Sequence, residues 1–372
     1  MPFKRAPNCA NAPVPIYYHK RIIYTSPFLK FFCFLNDSFY LTGKLHPSWR
    51  ICYPNILYYE ADMAQGYLQV DVVSDTNNFP VTDASISISK TETPEEILEE
   101  VRTDSSGQTE NVALEAPPAE LSLAPSGERP YAEYTIRITA PGYEPLVISG
   151  TEILADATAI QPARMIPAAD LGGEEDITIP DHTLYGNYPP KIAESEIKPV
   201  TGSGEIVLSR VVVPQTVIVH DGVPTNASAP DYYVPYRDYI KNVASSEIYA
   251  TWPKSSITAN VLAIMSFTLN RVYTEWYRNQ GYDFTITSST AYDHKWIYGR
   301  NIYESISVVV DDIFDNYLSR PEVKQPILTQ YCDGRQVTCP GWMTFLLLRI
   351  HIKKARFYAG LRGSCSRLCS FK

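Results

Sequence analysis

The sequence predicts an α+β protein: an N-terminal antiparallel β-sandwich joined by a linker rich in Pro, Gly and acidic residues to a mixed α+β, catalytic-type domain. Three observations carry this expectation. Between residues 66 and 168 short segments alternate apolar and polar residues, between 169 and 205 Pro, Gly, Asp and Glu dominate, and from about residue 236 the apolar spacing becomes helical. A chain of 372 residues has room for two or three domains, and 45% apolar content is ordinary for folded cores.

The strand signals come first. GYLQVDVVS (66–74) puts Leu68, Val70 and Val72 on one face, and ASISIS (84–89) does the same with Ile86 and Ile88. TDSSGQT (103–109) is a turn by its Asp, Ser and Gly content, and YAEYTIRITAPGYEPLVIS (131–149) offers two strands around Pro141, Gly142 and Tyr143. This order of strand, TD-x-x-G turn, strand and APGY resembles the carboxypeptidase regulatory-like, or transthyretin-like, domain over roughly 66–168. The resemblance implies a module that positions or binds rather than catalyses.

Residues 169–205 read as a linker with little local order, and the next domain, 206–343, is expected to begin near Gly204. GEIVLSRVVVPQTVIVHDG supplies a strand pair. VPYRDYIKNVASSEIYATW then places Tyr236, Tyr239, Ile240 and Val243 on one helical stripe, and four residues further on that stripe stands Glu247. A second helix is expected between Pro253 and Gly281, with Ile257, Val261, Ile264, Met265, Leu269, Val272 and Trp276 inward, and a third from about Asn301 to Leu318.

Charge is segregated. Residues 1–62 carry a net +4 and residues 344–372 a net +7, so a total of −9 leaves −20 for 63–343. An acidic body repels nucleic-acid phosphate, neither basic end shows a domain around its charges, and no nucleic-acid partner is expected. The apolar runs around Phe28–Leu35 and in LLLRIHI (346–352) are much shorter than the ~20 residues that cross a bilayer, so no transmembrane segment is expected. Lys30 interrupts the first run and no small-residue cleavage site follows, which makes it a poor signal peptide. Residues 1–62 show no sustained period and read as a non-native or disordered leader, with Met63 the expected natural start.

A carboxyl on an inward stripe is desolvated, its pKa rises, and its protonated form can serve as a general acid. From spacing alone, Glu247 either plays that part or sits at the edge of the stripe, reaching water or pairing with a base such as Arg271. No phosphate-binding glycine loop, G-x-S-x-G or His-Glu-x-x-His is present, and no cofactor is expected. Cys332 and Cys339 either close a disulfide in an exported protein or remain reduced thiols; their spacing leaves both open.

Three blocks, YIKNVASSEIYATWPKSSITANVLAIMSFTLNRVY (239–273), EWYRNQGYDFTITSSTAYDHKWIYGRN (275–301) and QYCDGRQVTCPGWM (330–343), resemble the stage II sporulation protein D, or amidase enhancer, family. The resemblance implies a lytic transglycosylase acting on denuded peptidoglycan glycan strands, with Glu247 as general acid and base. It marks Tyr249, Trp252, Arg271, Tyr292, His294, Trp296 and Tyr331 as substrate contacts, and it implies a cell-wall or extracellular location. His294 stands where some members place a zinc-binding His, but Lys295 and Thr290 replace the accompanying cysteines, so no metal is expected. After Thr344 the match stops and a basic, Cys-bearing tail (344–372) follows, which reads as a truncation or frameshift. The alternative is a non-catalytic peptidoglycan-binding protein or an activator of a cell-wall amidase.

Overall fold

A computed structural model describes residues 63–123, 128–168, 173–184, 188–192, 194, 208–321 and 323–330, together with the backbone of Ile16–Tyr18, Arg21–Ile23, Tyr331–Cys332, Met343–Thr344 and Ser370–Phe371. The chain falls into two units, Met1–Glu60 and Ala61–Lys372. In the first, Ile16–Tyr18 pairs antiparallel with Arg21–Ile23. The rest of the expected leader, and most of the tail expected at 344–372, lie outside the described residues.

In the second unit the alternating segments form strands as expected, β1 (Ala64–Ser74), β2 (Ser85–Lys90), β5 (Tyr131–Thr139) and β6 (Leu146–Leu154), and three strands not read from the sequence join them, β3 (Ile97–Arg102), β4 (Val112–Ala116) and β7 (Thr158–Met165). Leu68, Val70, Val72, Ile86, Ile88, Ile136 and Ile138 are fully buried, so every second residue feeds one shared core. The turn between β3 and β4 is built by Asp104, whose Oδ1 accepts from the Ser106 and Gln108 amides at 2.7 and 3.1 Å. Gly107 completes it at φ 76°, where a Cβ would lie 2.4 Å from the Val72 carbonyl oxygen.

The expected all-antiparallel arrangement is corrected. An eighth strand, β8 (Glu175–Thr178), forms inside the stretch read as linker and runs parallel to β6. One sheet therefore has the order β8-β6-β5-β2-β3, and in the other β7 lies parallel to β1, beside β4. Alternation reports which face a residue takes, not the direction of the neighbouring strand, so the sequence pattern is blind to this.

The second module has a small sheet of β9 (Thr216–His220), β10 (Asp231–Pro235) and β11 (Ile286–Thr287), in the order β10-β9-β11. Of the strand pair expected in 204–222, the described residues contain only β9; its antiparallel partner is β10. Three helices follow the predicted stripes: α1 (Tyr236–Glu247), α2 (Lys254–Tyr273) and α3 (Glu304–Ile313). The α2 helix is buried nearly all round. Its Ser266 and Thr268 hydroxyls donate to carbonyls one turn back and Asn270 Nδ2 donates to the Pro326 carbonyl, which satisfies these three donors in the core, whereas the buried Ser256 hydroxyl has no partner among the described residues.

The α3 helix starts later than its apolar pattern suggests because the residues before it become a strand, β12 (Ile302–Tyr303), paired with Ile160 and Ala159 of β7. This splice makes α+β one continuous structure. Beside it Arg300 is buried and donates to both carboxylate oxygens of Glu152 on β6, at 2.6 Å to Oε1, and to the Ser245 carbonyl at the end of α1. The Glu152 backbone is held by Asn301 and Tyr303. His182, from the former linker, is buried with Nδ1 3.0 Å from an Arg300 donor. Gly299, at φ 73°, packs where a Cβ would lie 2.5 Å from Ile177 Cγ2 of β8.

Removing one partner of a buried ion pair leaves the other charged and dry. Arg300→Met is expected to lower stability by about 3–5 kcal/mol, and Glu152→Leu with Arg300→Met to cost clearly less than the sum of the single changes. Urea denaturation of the three variants checks this.

Candidate functional site

Glu247 is the last residue of α1. Tyr236, Tyr239, Ile240 and Val243 fix the helix against the core, and the carboxyl follows them inward to 8% exposure. Residues 293–297 arrive opposite because Asn242, also on α1, clamps Ile297 from both sides: its Nδ2 donates to the Ile297 carbonyl at 2.8 Å and its Oδ1 accepts the Ile297 amide at 3.1 Å. The Lys295 amide thereby donates to Glu247 Oε1 at 2.7 Å. Glu247 Oε2 is shielded from solvent and has no hydrogen-bond partner among the described residues. Burial pushes the carboxyl up to about 7, against the opposing pull of the Lys295 amide and the positive charges of Lys191 and Lys295.

Of the two readings that spacing left open, pairing of Glu247 with Arg271 is overturned. The Arg271 guanidinium is already used: Nη1 and Nη2 each donate at 2.7 Å to Glu194, and Nε donates at 2.6 Å to Asp293. The other Asp293 oxygen accepts from the Tyr277 hydroxyl and from the Thr287 amide and hydroxyl. Such an arginine sets a loop rigidly and is 1% exposed. His294 is fully buried between Phe267, at a ring separation of 4.5 Å, and the Tyr239 hydroxyl, 3.3 Å from Nδ1. Burial holds it well below the usual imidazole range, so it is neutral. Neither Arg271 nor His294 presents surface to a glycan in this structure.

The other expected contacts divide between seam and surface. Trp252 is buried and donates from Nε1 to the Ser122 carbonyl at 3.0 Å, while Tyr249 packs on His182 at 4.7 Å; both cement the second module to the first. Tyr292 is half-buried, and its carbonyl accepts from Arg271. Trp296 is buried under Tyr232, with ring centroids 5.2 Å apart. For Tyr331 and Cys332 only the backbone is described, and Cys339 lies outside the described residues. Among the described residues no cluster of three or more His, Cys, Asp or Glu side chains could hold a metal ion, and no helix is long and apolar enough to cross a membrane.

Sequence reasoning missed the residues that shield Glu247. Lys191 Nζ donates to the Asp293 carbonyl, Lys295 Nζ donates to the Asp181 carbonyl at 2.9 Å and lies 5.7 Å from the Tyr188 ring, and the Ile192 amide donates to Ala291 at 2.7 Å. Nothing in a Pro-rich stretch signals such contacts. Glu152 did carry a signal, being a lone acid in the apolar strand LVISGTEIL.

No known family profile matches the chain, and no curated protein matches it. Among solved structures, it is similar to catechol 1,2-dioxygenase of Acinetobacter radioresistens, with 14% identity and a TM-score of 0.21 over 32% of this chain, and it spans 58% of that enzyme's length. It is also similar to 5-hydroxyisourate hydrolase of Klebsiella pneumoniae, with 15% identity and a TM-score of 0.19 over 28% of this chain and 92% of the other. At these scores neither likeness bears on chemistry.

The raised Glu247 has a stability consequence. Its folded form keeps a proton up to about pH 7, above the ordinary 4.5, so the stabilisation it contributes is full below about 4.5 and is lost as pH rises through 7. His182, lowered to about 4 chiefly by burial, works in the opposite direction, with stability lost as pH falls from 6.5 toward 4. Relative to the parent, Glu247→Gln is expected to be more stable at pH 8 than at pH 5; a difference in melting temperature that does not change with pH refutes the assignment.

Proposed function

We propose that this protein is a lytic transglycosylase that cleaves denuded peptidoglycan strands, with Glu247 as its one acid and base. The observation that carries the reading is the state of this carboxyl: buried, raised to about 7, held at Oε1 by a backbone amide and unpartnered at Oε2 among the described residues. The other two carboxylates in the described core, Glu152 and Asp293, are bound to arginines. A site with a single available carboxyl suits a reaction that needs only one.

In that reaction protonated Glu247 gives its proton to the glycosidic oxygen leaving C1 of N-acetylmuramic acid. The sugar's own 6-hydroxyl then attacks C1 and closes a 1,6-anhydro ring, and the carboxylate takes the hydroxyl proton, which restores the acid. Water is not consumed and no second nucleophilic carboxylate is required, unlike ordinary glycoside hydrolysis. The resemblance of residues 239–343 to the stage II sporulation protein D family supports this assignment, and that of 66–168 to the carboxypeptidase regulatory-like sandwich supports a wall-positioning role for the first module, in a cell-wall or extracellular setting.

One observation favours a second reading, a non-catalytic peptidoglycan-binding protein or activator of a cell-wall amidase. Glu247 Oε2 is closed off in this state, so catalysis requires the packing of Asp181, Tyr188 and Lys191 on residues 293–295 to give way when glycan enters.

Mass spectrometry of denuded strands separates the two. The parent is expected to release 1,6-anhydro ends, with a rate that falls as pH rises above about 7, and Glu247→Gln to lose roughly 10²–10⁴-fold of it. Strand binding with no anhydro product from the parent sinks the enzyme reading in favour of the second.

A further inference from the structure

A stack of aromatic rings, for which the Glu247 mechanism has no use, lies at the seam of the two modules. Trp296 is buried at its base, Tyr232 of β10 tilts over it at 5.2 Å, and Tyr298 stacks on Tyr232 at 4.8 Å and 24°. Tyr298 is 37% exposed, so part of the side chain left uncovered by Tyr232 meets solvent. An exposed aromatic held this firmly is unusual at a loop position. It is firm because Gly299 is seated against Ile177 of β8 and the Gly299 carbonyl accepts from Gln161 Nε2 at 2.8 Å.

The surroundings specify the chemistry further. Glu175 of β8 and Asp75 at the end of β1 lie close enough to act on the Tyr298 hydroxyl, which burial first and these carboxylates next push up, while Arg164 acts the other way. Arg164 is itself tied to Asp75, at 4.0 Å, and to Asn78. A flat apolar face edged by acceptors and a donor matches a pyranose ring, whose C–H face is apolar and whose rim is hydroxyl. Position matters as much. Tyr298 stands three positions along the chain, at most about 11 Å, from Lys295, whose amide holds the Glu247 carboxyl. A polymer lying on Tyr298 therefore rests close along the chain to the segment that holds the acid, and reaches the acid once the packing over Glu247 gives way.

We propose that Tyr298, carried on the Tyr232–Trp296 stack, is a glycan platform that holds one sugar ring of the strand beside the bond to be cleaved. This rests on the reading of Glu247 as the acid and adds a separate determinant of strand affinity. Tyr298 is a binding residue and takes no part in proton transfer.

The test is calorimetric titration of denuded peptidoglycan strands into the parent, Tyr298→Ala, Tyr298→Phe and Glu247→Gln, at low and high salt, with anhydro ends measured in the same samples. Removing the ring is expected to weaken strand binding roughly tenfold, while Tyr298→Phe binds like the parent. The difference between the parent and Tyr298→Ala is expected to be the same at low and high salt, because it comes from an uncharged ring, whereas the lactyl carboxylates of the strands act on both proteins alike. Glu247→Gln is expected to bind strands while forming no anhydro ends.

Parental affinity in both Tyr298 variants overturns the platform, and anhydro ends formed by those same proteins leave the acid standing. A difference between the parent and Tyr298→Ala that vanishes at high salt overturns it in favour of a charge contact. A parent that neither binds nor cleaves overturns platform and acid together. Loss of binding in Tyr298→Phe as well as Tyr298→Ala, with a lowered melting temperature in both, attributes the effect to the fold and overturns the platform.

Discussion

A guanidinium buried against a carboxylate is the constraint on which the rest of this structure depends. Arg300 and Glu152 come from segments 148 residues apart, and neither side chain is exposed. Each charge taken out of water costs several kcal/mol, and that cost is offset only where geometry is good and the remaining polar atoms are satisfied. Here the contact is two-pronged, His182 and the Ser245 carbonyl accept further from Arg300, and Asn301 and Tyr303 hold the Glu152 backbone, while Arg300 Nε and His182 Nε2 stay buried without a partner among the described residues. The pair therefore fixes at once a strand of the first module, the end of α1, the segment carrying His182, and the turn into β12.

Glu247 inherits its environment from that arrangement. Residues 293–301 are held at one end by Arg271 on Asp293 and at the other by Arg300 on Glu152, with Asn242 gripping the middle. A loop pinned at three points presents the Lys295 amide to one carboxylate oxygen and leaves little freedom for anything else to enter. The electrostatic contrast within the core follows. Two carboxylates are fully neutralised by arginines, and the third receives one amide and the more distant field of two lysines, so burial dominates and its pKa rises.

Much of the fold was legible because it is local. Alternation located β1, β2, β5 and β6, and the helical stripes located α1 and α2 within a few residues. Glu247 was legible for the same reason: adding one turn to Val243 is arithmetic on a helix. The linker was misread because Pro, Gly and acidic residues lower the propensity for regular structure without preventing a short strand from borrowing a neighbour. Glu175–Thr178 is a strand only because β6 offers it an edge. The resemblance marked Tyr249, Trp252 and His294 as sugar contacts, and residue type cannot tell a ring packed at a seam from one facing solvent.

What the sequence by itself determined is the α+β class, the period and facing of the elements it located (β1, β2, β5, β6, α1 and α2), and the choice of Glu247 as the carboxyl worth attention. What only the tertiary structure decided is which groups share space: that β1 pairs in parallel with β7, that Arg271 is claimed by Glu194 and Asp293 rather than by Glu247, and that Arg300 reaches Glu152. The physical reason is range. Backbone sterics and side-chain periodicity act over three or four residues and are written along the chain, whereas desolvation and ion pairing depend on whatever the folded chain brings within a few ångströms, which no local spacing records.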